Sequence, residues 1–257
     1  MPSVNDVVLA LAARTNPDRT PDWDPAGLQL GDPDGPVSTV GVCHEVTEEV
    51  VARLAESPVD LLVSYHPLLF APTTRLLAGR SAGARSYRLI RAGVALVIAH
   101  SDFDSAPGGA ADALAEFFSL RDVRPFGEDA GSGLPAIGRV GEFEGTIGTI
   151  DAMLVDEFGP VGLRVSGDRD RDVKAVAVVP GSGSSLIDEA AEMADVLVTG
   201  DVSHHRTVAA ADLGLAIVDP GHVVTERPGM KALVKMVREV AGVEVVDLTD
   251  IDPRTWG

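Results

Sequence analysis

Four apolar segments of this 257-residue chain each end in polar or metal-seeking groups. VDLLVSYHP ends at Tyr65 and His66, VALVIAHSDFD at His100 and Asp104, DVLVTGDVSHH at Asp201, His204 and His205, and AIVDPGHVVTE at Asp219, His222 and Glu226. Open α/β sheets bind ligands beyond the carboxyl ends of their strands, so groups from several tips can meet in one crevice. Imidazole nitrogen together with carboxylate oxygen suits Zn, Mn or Fe, and one carboxylate can bridge two ions. A metal site is therefore the leading expectation.

Each residue also has a plainer role open to it. His66 precedes Pro67, which confines it to extended or turn geometry and aims the imidazole out of a strand tip. Taken alone, histidines such as His66 and His100 more often cap or hydrogen-bond near loops than bind metal. Asp104, just ahead of Ser105-Ala106-Pro107, serves as readily for an N-terminal helix cap as for a ligand. If a helix starts at or just after Gly221, i,i+4 spacing puts His222 and Glu226 on one face, to bind an ion or to share a surface hydrogen bond. His204 and His205 cannot share a helix face and read as solvated. The GSGSS run at 181–185 lies between a strand and a helix, where its amides could bind phosphate. It lacks the Lys of a Walker A loop and the full dinucleotide fingerprint, and an ordinary tight turn is the commoner reading.

Regular elements are needed to position these groups. Residues 4–14 read as a helix, followed by a Pro/Asp-rich loop through Asp24, Pro25, Ala26 and Gly27. STVGVC is a buried strand, EVTEEVVARLAE a helix, VDLLVSYH a strand, residues 81–92 a helix and VALVIAH a strand. This order predicts parallel strands joined by right-handed crossovers. After a helix at about 108–119, the Gly- and acid-rich stretch from Phe126 to Leu134 reads as a link. The order then repeats in VKAVAVVP, a helix from about Ser184 to Met193, DVLVTGD, a helix from about His204 to Leu213, and LAIVDPGH. An internal duplication and two ordinary βαβ units both account for it. A final helix is expected beyond Glu226 with Pro228 in its first turn, and VEVVDLT can return as a strand to either sheet. The expected fold is α/β, with two similar, interlinked lobes of parallel βαβ units around a metal-binding cleft. Residues 1–125 form the first lobe and 126–221 the second, with 222–257 returning to the first.

Composition narrows the class. The single cysteine, Cys43, excludes an intrachain disulfide and fits a reducing, cytoplasmic setting. No apolar run reaches membrane-spanning length, and Asn5 and Asp6 stand where an export signal would be basic. With 21 basic and 39 acidic side chains, the formal charge of -18 would repel a nucleic-acid backbone. The same charge disfavours a large anionic substrate unless metal ions offset it. Aromatic residues are 4% of the chain, which argues against a stacking platform.

In their order, these motifs resemble those of the dinuclear-metal-centre, ring-forming hexameric proteins named by homology for GTP cyclohydrolase I type 2. The resemblance runs over nearly the whole chain. Asp24-Pro25-Ala26-Gly27-Leu28 is similar to the family's Asp-Asn-x-Gly-Leu, and Ser64-Tyr65-His66-Pro67 to its Ser-His-His-Pro. His100 and Asp104 match His-x-x-x-Asp, and Gly221-His222-Val223-Val224-Thr225-Glu226 matches Gly-His-x-x-x-Glu. Gly181 to Ser184 and Thr199-Gly200-Asp201-Val202-Ser203-His204 look like its late glycine loop and Thr-Gly-Glu/Asp-x-x-His stretch. The resemblance implies that His66, Asp104 and Glu226 hold one ion. The position of Tyr65, His222 and Glu226 would hold the other, with Glu226 bridging. The family's first His is Tyr65 here, and a phenol of pKa about 10 becomes an anionic ligand only if the metal lowers that value. One tightly held divalent ion and a weaker or altered second position are expected, with His100, His204 or His205 as compensating donors.

The implied chemistry is metal-assisted hydrolysis of a small molecule, a nucleotide or another phosphorylated metabolite, with His100 as proton shuttle and Glu226 at the reacting centre. GTP ring opening ranks lower, for want of a guanine-binding motif. The alternative is a non-enzymatic metal-binding hexamer acting as scaffold, regulator or metal-handling protein; a nucleotide-binding module without catalysis comes third. The expected partners are a small-molecule substrate and copies of the same chain in a homohexameric ring, with no nucleic acid and no membrane.

Overall fold

A computed structural model describes residues 1–127, 134–159 and 162–252. The chain divides into two compact units, Met1–Ala106 with Met230–Gly257, and Pro107–Gly229. The first opens with α1 (Val4–Thr15), whose start is closed by a reciprocal Ser3–Asp6 capping box. There follow β1 (Gly27–Leu30), β2 (Thr39–Cys43), α2 (Glu48–Glu56), β3 (Leu61–Ser64), α3 (Ala82–Ala92), β4 (Ala95–Ile98) and the short α4 (Ser101–Ser105). Thr47 and Ser81 cap α2 and α3 through their hydroxyls. Strands β2, β3 and β4 are parallel, and β1 adds antiparallel to β4.

The second unit comprises α5 (Ala110–Phe117), β5 (Arg121–Phe126), β6 (Gly138–Thr146), α6 (Ile147–Phe158), β7 (Arg164–Ser166), β8 (Asp172–Val178), α7 (Ile187–Ala191), β9 (Val196–Val198), α8 (His204–Asp212) and β10 (Ala216–Asp219). Its sheet runs β5-β6-β8-β9-β10-β7, with β8, β9 and β10 parallel. Alternation along those three strands separates two cores. Val176, Val178, Val196, Val198 and Val218 pack with α5 and α6, whereas Ala177, Val179, Leu197 and Ile217 pack with α7 and α8. A sheet covered on both faces needs the near-continuous apolar runs seen in the sequence. Helix α9 (His222–Ala241) then carries the chain back to the first unit, where β11 (Glu244–Asp247) pairs parallel with β2. Among the described residues, no helix is long and apolar enough to cross a membrane.

Three sequence expectations change. The division falls at Ala106 and Pro107 rather than at 125 and 126, because β5 is hydrogen-bonded to β6 and belongs to the second sheet. The stretch from Phe126 to Leu134 therefore joins neighbouring strands of one sheet instead of linking lobes; its residues 128–133 lie outside the described residues. The last helix starts at His222, not beyond Glu226, and Pro228 lies inside it rather than in its first turn. Burial decides this. Val224, Thr225 and Glu226 are all buried, and the Thr225 hydroxyl accepts from the Gly181 amide, so packing outweighs the backbone bond that proline forgoes.

The two units repeat one device. In the first, the Asp60 carboxylate accepts from the Ser38 and Thr39 amides at 2.7 and 3.0 Å, while its backbone amide donates to Thr39 and its carbonyl accepts from Ala95. In the second, the Asp195 carboxylate accepts from the Lys174 and Ala175 amides at 2.8 and 3.1 Å, its amide donates to Ala175, and its carbonyl accepts from Ala216. Each aspartate stitches together the starts of three parallel strands. Hydrogen bonds from Ser38 hold the Asp60 carboxyl below its ordinary range, so its contribution to stability is present at neutral pH and lost in acid. Replacing Asp60 with Ala is expected to cost about 1–2 kcal/mol in urea unfolding at pH 7, less at pH 3, with Asp60→Asn milder because it keeps an acceptor.

Candidate metal centre

In the first unit, the carboxyl ends of β2, β3 and β4 bring four rings together. The ladder continues past the strands, with Tyr65 donating to the Cys43 carbonyl, His66 to that of His44 and Ala99 to that of Ser64. His44 and His66 consequently lie with ring centroids 4.8 Å apart, Tyr65 and His66 4.8 Å, and His66 and His100 5.3 Å. The Ser64 hydroxyl donates to the His66 carbonyl at 2.8 Å, closing the turn into Pro67. Tyr65 is buried, and its hydroxyl donates to the Asp104 carboxylate at 2.5 Å. The phenol thus serves as a hydrogen-bond donor to the neighbouring acid.

His100 is oriented from behind. Its Nδ1 lies 3.0 Å from Oδ2 of Asp24, which also accepts from the Ser101 amide at 3.2 Å and from the Ser101 hydroxyl. Burial raises the Asp24 pKa, but the bonds from His100 and Ser101 outweigh it and hold the carboxyl below its ordinary value. An ionised Asp24 places a proton on Nδ1 of His100, leaving Nε2 as the basic nitrogen. The His100 amide donates to Asp102 at 2.7 Å, fixing the backbone where β4 turns into α4.

In the second unit, the i,i+4 pair on α9 is formed. Nε2 of His222 lies 3.0 Å from Oε1 of Glu226, and Nδ1 lies 2.7 Å from Oδ2 of Asp201, itself in left-handed backbone geometry at φ 57°. Glu226 is 1% exposed, so its charge needs a partner. The glycine loop passes close by: a Cβ at Gly181 would come within 2.9 Å of Oε1 of Glu226, and one at Gly200 within 2.5 Å of the His222 amide nitrogen. Two amides of that loop are already committed, Gly181 to the Thr225 hydroxyl and Gly183 to that of Thr199, which supports the tight-turn reading over phosphate binding.

Within the first unit, then, Tyr65, His66, His100 and Asp104 come together, and within the second His222 and Glu226 do. Asp219 is engaged with Arg164 and with the Val202 and Gly221 amides, a structural role. His204 and His205 are exposed, with their rings 5.5 Å apart. Two residues to which sequence reasoning gave no role join the first set. Asp24 orients His100, a long-range pairing with no local signature. His44 follows a buried strand just as His66 and His100 do, and that pattern could have flagged it. Imidazole and carboxylate donors able to hold a metal ion are present, His44 and His66 in the first unit and Glu226 in the second.

Burial draws the His222 pKa down, but Glu226 and then Asp201 outweigh it and raise the value from 6.5 to about 9. The stabilisation from this proton is full below the unfolded value of 6.5 and is lost as pH rises through about 9. An NMR titration of the ion-free protein is expected to show the His222 imidazole charged at pH 7.5, and Glu226→Gln should shift its midpoint back toward 6.5.

Residues 2–253 match the family described as Duf34/NIF3 (NGG1p interacting factor 3). A Streptomyces coelicolor protein named GTP cyclohydrolase 1 type 2 homolog is 36% identical over 236 residues, covering 89% of this chain and 83% of the relative. A Clostridium perfringens protein of the same name is 31% identical over 225 residues, 84% of each chain. The crystal structure of a Bacillus cereus protein related to NIF3 shares the fold, with a TM-score of 0.88 over 100% of this chain and 99% of that one at 22% identity. The motifs, the two α/β units and these likenesses agree: the chain belongs to the Duf34/NIF3 family.

Proposed function

We propose that this protein is a divalent-metal-dependent hydrolase of a small, nucleotide or otherwise phosphorylated, metabolite. The observation that carries the reading is the buried Glu226 carboxylate paired with His222. A buried acid held against an imidazole, with a glycine loop kept clear around it, is suited to exchanging a proton for a metal ion. His66, Asp104, His222 and Glu226 would hold the ion, with His44 added to the ligand set. Zn, Mn or Fe fits these donors. A divalent ion there supplies Lewis acidity toward the bond under attack.

The chain's own groups supply the rest. Asp24 fixes the tautomer and angle of His100, whose Nε2 takes up and returns the proton. Tyr65 holds Asp104 through its hydroxyl. In the second metal position, that phenol stands where relatives in the resemblance carry an imidazole, so one ion is held tightly and the other weakly. This substitution also favours a second reading, a metal-binding protein without catalysis, because Tyr65 engages the acid that an ion would otherwise take. In either case the protein works in the cytosol as a homohexameric ring.

Elemental analysis of gently purified protein is expected to give about one ion per chain, rising toward two in Tyr65→His; two in the unaltered protein would show that the phenol costs nothing. Metal-loaded protein should convert a phosphorylated substrate, with turnover abolished in Glu226→Gln and reduced about 10- to 100-fold in Asp24→Asn. Metal binding that survives while no substrate is turned over would favour the second reading. Light scattering should give about six times the 26.7 kDa chain mass; a concentration-independent monomer or dimer would reject the ring.

A further inference from the structure

Aromatic side chains are only 4% of this chain, and two of them are spent at its surface beside the His100 cluster. Trp23 is 59% exposed and Phe70 57%, and their ring centroids lie 5.9 Å apart at 35°. The indole also meets His100 in an edge contact, centroid to centroid 6.5 Å at 77°. At 5.9 Å the two rings touch each other and leave no slot between them; they form one continuous wall.

That wall is held in place. Trp23 immediately precedes Asp24, whose amide donates to the Pro21 carbonyl at 2.9 Å and whose carboxylate holds His100 and Ser101. Phe70 follows Leu69, whose amide and carbonyl are both gripped by the side-chain amide of Gln29, at 2.8 and 3.0 Å. The hydrogen bonds that orient His100 therefore also fix the backbone from which the indole projects. Exposed apolar surface is unfavourable in water, and an aromatic pair kept beside the His100 ring on anchored backbone gains stability once a flat ring covers it.

We propose that Trp23 and Phe70 are a stacking platform for a planar heteroaromatic ring of the nucleobase class, carried by the substrate of the adjoining site. The inference rests on the small-molecule reading above and names the substrate's ring. Stacking is uncharged, so it supplies affinity that the acidic surface, at -18, does not oppose. The low aromatic count argued against such a platform, but a count says nothing of placement.

The test reads binding rather than turnover. In full-length protein carrying Trp256→Phe, Trp23 is the sole tryptophan and its emission reports contact directly. Guanosine 5′-monophosphate is a fair probe because stacking tolerates any base. It should quench that emission saturably in both metal-loaded and chelator-treated protein, whereas ribose 5-phosphate should not. By calorimetry, Trp23→Ala and Phe70→Ala should each weaken nucleotide binding roughly 5- to 100-fold, and Trp23→Phe only a few-fold. Saturable quenching without any hydrolysis would sustain the platform while the hydrolase reading failed. Metal-dependent hydrolysis with no quenching, and unchanged in Trp23→Ala, would overturn the platform alone. So would a Trp23→Ala variant that loses assembled mass in light scattering yet binds the nucleotide as before, since the rings would then face another copy of the chain.

Discussion

Asp60 and Asp195 occupy the same place in the two units, one residue ahead of the middle strand of a parallel triplet, and the chemistry at the other end depends on them. Each carboxylate binds two amides at the start of one neighbouring strand, and each carbonyl receives an amide from the other. Fixed at their starts, the strands end level: Cys43 pairs with Ser64 and Ser64 with Ile98, as Val178 pairs with Val198 and Val198 with Val218. A slip of one residue would turn every side chain to the opposite face. The closeness of His44, Tyr65, His66 and His100 is thus a consequence of register, set about a strand's length away.

Three acids near the strand ends are held by two kinds of partner. Asp24 is held by an imidazole and serine groups, Glu226 by an imidazole, and Asp104 by a phenol. An imidazole nitrogen that gives up its proton can bind an ion beside the carboxylate it had paired with. The Tyr65 phenol instead donates a hydrogen bond to its acid. A cation proposed at Asp104 would therefore compete with the Tyr65 hydroxyl, whereas one at Glu226 would exchange with the His222 proton. The strand-tip position filled by Tyr65 thus gives Asp104 a partner of a different kind from the imidazole beside Glu226.

The parallel triplets were legible because strands covered on both faces must be apolar almost throughout, and β2, β3, β4, β8, β9 and β10 read that way. The i,i+4 spacing of His222 and Glu226 was legible only on the condition that a helix begins at or just after Gly221, a start that α9 meets at His222. β6 and α6 were passed over although α6 carries its own Thr146 capping box; the rest of what escaped was set at long range. β1, β5 and β7 pair at sheet edges, where short, half-exposed strands carry little pattern. The start of α9 was hidden by Pro228, whose local penalty is overridden by the burial of Val224, Thr225 and Glu226. Asp24 stands 76 residues from the histidine it orients, and only the folded chain joins them.

The proton on His222 gives the second unit's cluster a resting state. Between Asp201 and Glu226 the imidazolium offsets one of two carboxylate charges, so the buried Glu226 is compensated within the folded chain. A cation taking the His222 nitrogen would have to displace this proton, so its affinity there would rise with pH toward about 9. Glu226 is placed by its helix and lies against the loop at Gly181, which has no side chain to obstruct it. A ligand set at this place would therefore be organised in folding, by burial of the first turn of α9, rather than on binding.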